Sequence, residues 1–102
     1  MTLARLRARR DEILQIAAAH DARNIYVFGS VARGEAGPES DVDLLVDLPS
    51  EYRGFDYFGV LDELREALES VLDCKVDVLS IRRVAPQAEP MADRIRREAV
   101  PL

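Results

Sequence analysis

The stretch Ile25–Leu48, IYVFGSVARGEAGPESDVDLLVDL, constrains the fold of this chain more than any other. An apolar run ends in Gly29-Ser30, a tract with turn signals at Gly37-Pro38 follows, and Asp41-Val42-Asp43 opens a second apolar run. Both runs read as short strands. The connection from Ser30 to Ser40 is tight for a parallel crossover, which needs a dozen or more residues. The two strands are therefore expected to be antiparallel, in a sheet that is mixed overall. Along a strand, residues i and i+2 share a face and lie about 6.6 Å apart. Asp41 and Asp43 then face one point together, while Val42, Leu44 and Val46 face a core.

Two ionised acids aimed the same way repel, so they call for a cation. Two metals about 3.5–4 Å apart can be bridged by such a pair. The Gly-Ser element supplies a second half-site. Gly29 lets backbone pass close to a phosphate. Ser30 is expected to cap a brief helix, Val31 to about Glu35, whose first N–H groups favour an anion. The blander alternatives are a pair of edge-strand acids and an ordinary capped turn. Gly29 to Gly34 matches half of a P-loop, but Glu35-Ala36 stand where Lys and Ser or Thr are required, which rejects it. An EF-hand starting at Asp41 would need glycine at Val46 and is also rejected.

A third acid is expected from Lys75-Val76-Asp77-Val78-Leu79. A carboxylate flanked by valines on a short buried strand is costly unless paired or bound to a cation. If that strand lies beside the second, Asp77 joins Asp41 and Asp43 and could also take a proton from an attacking hydroxyl. The alternative is a surface Asp at a strand end. Asp47 shares the parity of Asp41 and Asp43 but sits at the end of its strand and is left out of the site.

Hydrophobic periodicity organises the rest. Residues 2 to about 21 read as one amphipathic helix carrying Leu3, Leu6, Ile13, Ile16 and Ala17. Phe55 to Val71 reads as a second long helix, with Phe58, Leu61, Leu64, Leu68 and Val71 at helical spacing. The strands are expected at Ile25–Phe28, Asp41–Asp47 and Lys75–Ile81, an irregular stretch between Pro86 and Pro90, and a last helix at Met91–Ala99. The order α-β-α-β-α-β-α predicts an α/β fold around a small mixed three-strand sheet. Residues 1–102 are expected to form a single domain.

Composition excludes several classes. A net charge of -5 makes the chain a poor general nucleic-acid binder, because phosphate contacts come from Lys and Arg. Arginines crowd both ends: Arg5, Arg7, Arg9 and Arg10 at the start, Arg94, Arg96 and Arg97 near the close. They read as solvated helix faces, or else as a basic rim steering an acidic partner. The lone Cys74 forbids an internal disulfide and fits a reducing, cytoplasmic setting. His20 has no companions at ligand spacing, so zinc is not expected. No apolar run approaches the ~20 residues of a membrane span.

Gly29-Ser30, Arg33-Gly34, Ser40-Asp41-Val42-Asp43 and the later Asp77 resemble the minimal nucleotidyltransferases of the DNA polymerase β superfamily. The closing Ile95-Arg96-Arg97-Glu98-Ala99-Val100 looks like the tail of small members encoded beside HEPN-domain proteins, the antitoxins of HEPN/MNT toxin–antitoxin systems. The resemblance implies a polymerase-β-like fold and two-metal transfer of AMP from ATP to a hydroxyl, with Mg2+ or Mn2+ as cofactor. Carried over by position, Asp41, Asp43 and Asp77 resemble the metal-binding, catalytic acids. Gly29, Ser30, Arg33 and Ser40 resemble the nucleotide-binding set, with Arg33 bracing the loop. The implied acceptor is a tyrosine of a cognate HEPN ribonuclease toxin. The alternatives are a catalytically silent antitoxin that works by occlusion, and transfer to a small molecule such as an aminoglycoside.

Overall fold

The computed structural model describes residues 1–35, 37, 41–49, 51–80, 95 and 97–102. The amino-terminal apolar pattern folds as two helices, α1 (Leu3–Ala8) and α2 (Arg10–Ala19), where one was expected. The Thr2 hydroxyl accepts the Arg5 N–H at 3.2 Å and starts α1. Arg9 leaves helical geometry at φ -107°, ψ 18°, and its guanidinium pairs with Glu12 at 2.9 Å. The break divides the apolar positions into two short stripes, which bury Leu6 on α1 and Ile13 and Ala17 on α2.

Strand β1 (Arg23–Phe28) leads into a single turn of helix, α3 (Gly29–Arg33). Ser30 does not cap it, contrary to expectation. Gly29 turns the chain directly out of β1 with φ 72°, so the cap position falls on Phe28, which has no side-chain acceptor. Ser30 lies inside the first turn. Strand β2 (Val42–Asp47), helix α4 (Gly54–Leu72) and strand β3 (Val76–Ser80) follow, and a two-residue strand, β4 (Val100–Pro101), closes the order.

The described strands form a four-stranded mixed sheet in the order β3-β2-β1-β4. β1 and β2 are antiparallel, as the short connection required, and β2 and β3 are parallel. β4 is the addition to the expected three. Val100 pairs with Val27 and Pro101 with Tyr26. The Leu102 N–H donates to the Ile25 carbonyl at 3.1 Å, and Leu102 is buried. Two residues of strand carry too little pattern to read ahead of the fold.

The sheet has two unlike faces. On one, Ile25, Val27, Val42, Leu44, Val46 and Val76 pack with Leu6, Ile13, Ala17, Leu64 and Leu68 from the helices. On the other, Phe28 and Leu45 make a smaller cluster with Tyr26, Leu79, Ile95 and Ala99. Alternation along the strands puts Asp43 and Asp77 on this second face, opposite the main core.

Helix α4 buries a stripe that overlaps the expected one only at its centre. It buries Tyr57, Val60, Leu64, Leu68 and Leu72. Phe55 and Phe58 are 96% and 56% exposed. Both stripes share Leu64 and Leu68 and both have helical period, so periodicity alone does not choose between them. Of the expected last helix, Ile95, Arg97 and Glu98 are helical, and the Ala99 N–H donates to the Ile95 carbonyl at 2.9 Å. Its other positions, Ile81 and the Pro86–Pro90 stretch lie outside the described residues.

Candidate active site

Parallel pairing of β2 with β3 sets Asp43 directly opposite Asp77. Asp41 precedes β2 and is exposed, as is Asp77, while Asp43 is half-buried. The backbone aligns them: the Val42 N–H, between Asp41 and Asp43, donates to the Lys75 carbonyl at 2.9 Å. Across the antiparallel pair, Asp43 lies opposite Phe28, the residue before Gly29. The carboxylates and the Gly-Ser turn thus meet at one end of the sheet.

Electrostatics single out Asp43. Burial pushes its carboxyl up from 3.8 to about 6, the nearby charges of Asp77 and Asp41 push the same way, and Arg33 opposes them. A group so placed holds a proton longer than an ordinary aspartate, and a cation arriving at the site would take that proton's place. Arg33 is itself held. Its Nε donates to Glu35 at 3.0 Å and its Nη1 to Glu98 at 2.9 Å, which ties α3 to the chain's closing segment. Nothing in the sequence signals the second contact, because it spans 65 positions.

Gly29 fits the same geometry. A Cβ there would fall inside contact distance of Asp43 Oδ2 and 3.1 Å from its Cγ. Asp41 and Asp77 also line a surface groove of about 710 Å³ that continues past Val76 to Glu69 and Arg65. Ser40 lies outside the described residues. Among the described residues, no three His, Cys, Asp or Glu side chains converge as a ready-made cation cage. What the fold supplies is an adjacent acid pair, with a third acid two residues before Asp43. All the donors are carboxylate oxygens, the set that suits a hard cation such as Mg2+ or Mn2+. The residues present fit such an ion.

Of the other residues with reactive side chains, Cys74 lines the same groove as Asp41 and Asp77. Cys74 is half-buried against the main core, and burial pushes its thiol up, away from the reactive thiolate. His20 ends α2, with Nδ1 2.9 Å from the Ile16 carbonyl oxygen. Among the described residues, no helix is long and apolar enough to cross a membrane.

Comparison with known proteins bears on the family and the fold. A solved structure described as a minimal nucleotidyltransferase is 43% identical, with a TM-score of 0.76, matching 100% of this chain and 97% of that one. The protein adenylyltransferase MntA of Thermococcus cleftensis is 40% identical over a match covering 68% of this chain and 74% of that one. The same fold, at 18% identity and a TM-score of 0.63, occurs in a complex of a tri-AMPylated Shewanella oneidensis HEPN toxin with MNT antitoxin, matching 93% of this chain and 69% of that one. Residues 10–101 match the family described as nucleotidyltransferase domain. A mixed sheet that sets acids on adjacent strands beside a Gly-Ser turn, and a family match over nearly the whole chain, make this protein a member of the nucleotidyltransferase domain family.

Proposed function

We propose that this chain is a metal-dependent transferase that moves AMP from ATP to a hydroxyl, a tyrosine side chain, of a cognate HEPN ribonuclease toxin. It would thereby act as the antitoxin of that toxin in the cytoplasm. The observation that carries the reading is the pairing of Asp43 with Asp77 on adjacent parallel strands, with Asp43 raised to about 6 and packed against Gly29. The name of the Thermococcus cleftensis relative, a protein adenylyltransferase, supports AMP as the transferred group, and the HEPN toxin in complex with the MNT antitoxin of the same fold supports the class of acceptor.

In this reading Asp41, Asp43 and Asp77 would hold Mg2+ or Mn2+, which would supply positive charge to offset that of the triphosphate. Gly29 brings backbone close to the triphosphate, and Ser30 offers its hydroxyl and N–H. Arg33, clamped by Glu35 and Glu98, braces the turn. Ser40 completes the nucleotide-binding set. Asp77, exposed beside the groove, accepts the proton of the attacking hydroxyl as the new bond to the α-phosphorus forms and the bond to pyrophosphate breaks. The groove lies on the surface, and an acceptor delivered by another protein can approach it there.

Co-incubation with the partner tests the reading by intact-mass measurement. The partner should gain multiples of AMP, dependent on ATP and divalent metal, and gain none with Asp41→Ala. A partner silenced equally well by Asp41→Ala without ATP would replace transfer by occlusion.

A further inference from the structure

Glu69 both ends helix α4 and joins it to strand β3. Its main-chain carbonyl accepts the Asp73 N–H at 2.9 Å and ends the helix, and Asp73 turns the chain with φ 54°. Its side chain reaches further. Oε2 accepts the Val76 N–H at 3.0 Å, while Oε1 accepts from Arg65 Nη1 at 2.7 Å. Arg65 is in turn anchored by Asp62 at 2.7 Å. An ordinary pair four residues apart on a helix touches nothing beyond that helix. This one ends on the first amide of a strand.

The position of that amide matters. Val76 opens β3, and Asp77 is the next residue. β3 is the edge of the described sheet, with β2 as its neighbour. An edge strand has amides facing away from the ladder, and the carboxylate of Glu69 serves the Val76 N–H in place of another strand. On the other side, the Lys75 carbonyl takes the Val42 N–H. The origin of β3 is thus held from both flanks, by β2 and by α4. A hydrogen bond to a carboxylate is stronger than one to a neutral acceptor, so the clamp is well suited to hold register.

We propose that Glu69 is a positioning residue. Steadied by Arg65, it fixes the start of β3 and so sets the carboxylate of Asp77 beside that of Asp43. The inference rests on the reading of Asp77 as a metal ligand given under Proposed function. It requires no contact between Glu69 and nucleotide, metal or acceptor.

The test is Mn2+ binding by the full chain in the presence of a non-hydrolysable ATP analogue, followed by the electron spin resonance of free Mn2+. Removing a residue that orients a ligand typically weakens metal binding about tenfold or more, and Glu69→Ala should do so. Glu69→Gln keeps a carbonyl acceptor for the Val76 N–H and should recover most of the affinity. Arg65→Met leaves the acceptor but frees it, and should fall between the two. Amide exchange at Val76 should quicken in Glu69→Ala. Asp77→Asn, run in parallel, separates the two possible failures. If Asp77→Asn loses Mn2+ affinity while Glu69→Ala keeps it, the positioning role is overturned and the metal site stands. If Asp77→Asn binds Mn2+ like the parent, the metal reading and this inference fall together. Should Glu69→Ala not fold, unchanged affinity in Arg65→Met, or no binding by folded Glu69→Gln, overturns the proposal.

Discussion

The backbone of Gly29 lies directly against the carboxyl of Asp43. A Cβ on Gly29 would intrude on Asp43 Oδ2 and sit 3.1 Å from Cγ, and the residue has φ 72°. Two separate demands therefore meet at this glycine: a left-handed backbone and an absent side chain. Gly34 has φ 74° but open space around its missing Cβ. Gly29→Ala and Gly34→Ala should both lose stability through backbone strain, about 1–3 kcal/mol each. Gly29→Ala alone should also displace Asp43 and lose transfer activity. Denaturant melts paired with an AMP-transfer assay read the two effects, and an active Gly29→Ala would show that the contact is dispensable.

Asp43→Asn should abolish transfer and stabilise the apo protein at neutral pH. The sign follows from the raised value. Below about 3.8 both folded and unfolded states hold the proton, so the group contributes nothing to the difference. Between 3.8 and about 6 the folded state binds more protons, and stability falls as pH rises. Above about 6 the full cost of an ionised Asp43 is present. Asparagine removes that cost, with a gain on the order of 1 kcal/mol, or about 4–8 °C in Tm. Calorimetry at pH 7.5 and near pH 4 should find the gain at the higher pH and little of it at the lower.

Protons and divalent cations should compete at Asp43. A carboxyl with a value near 6 is roughly 90% protonated at pH 5, so Mn2+ alone should bind about tenfold more weakly there than at pH 7.5. Titration calorimetry at the two pH values measures this. A pH-independent affinity would separate metal binding from Asp43.

Ser30→Ala should act mainly on nucleotide affinity. Ser30 sits inside the single turn α3 and does not cap it, so backbone N–H donors remain when the hydroxyl is lost. KM for ATP should rise, and the rate should fall far less than with Asp43→Asn. A mutant as inactive as the aspartate variant, with normal ATP affinity, would give Ser30 a different role.

The face of α4 is open to a direct contrast. Leu64 is fully buried and Phe58 is 56% exposed. Leu64→Ala should lose about 2–5 kcal/mol. Phe58→Ala should cost less than about 1 kcal/mol, since its loss empties no core. Equal losses in urea melts would restore Phe58 to the interior.

Much of the site was legible before any fold was known. A strand's two-residue period is enough to turn Asp43 one way and Val42, Leu44 and Val46 into the core, while Asp41 lies just before the strand expected to include it. Asp77 among valines suggested a buried acid in need of a partner, but it lies exposed on the edge strand of the described sheet. Its place opposite Asp43 was conditional on β3 lying beside β2, and only the parallel register supplies that. The raised value of Asp43 was not legible either, because it depends on burial and on charges brought in from separate elements. Ser40 and the arginines at 94 and 96 lie outside the described residues.

The sequence by itself determined the local periods and, through the length of the connection between β1 and β2, their antiparallel pairing. These are short-range effects, set by residue spacing and backbone sterics. Tertiary structure decided which of two overlapping stripes α4 buries, where the amino-terminal helix breaks, and that two residues at the chain's close pair with Tyr26 and Val27. It also decided that Glu98 meets Arg33 and that the carboxylate of Glu69 meets the first amide of β3. Each of these outcomes depends on surfaces distant in the chain packing together. A hydrophobic period names a face that can be buried, and the element that comes to cover it settles which face is.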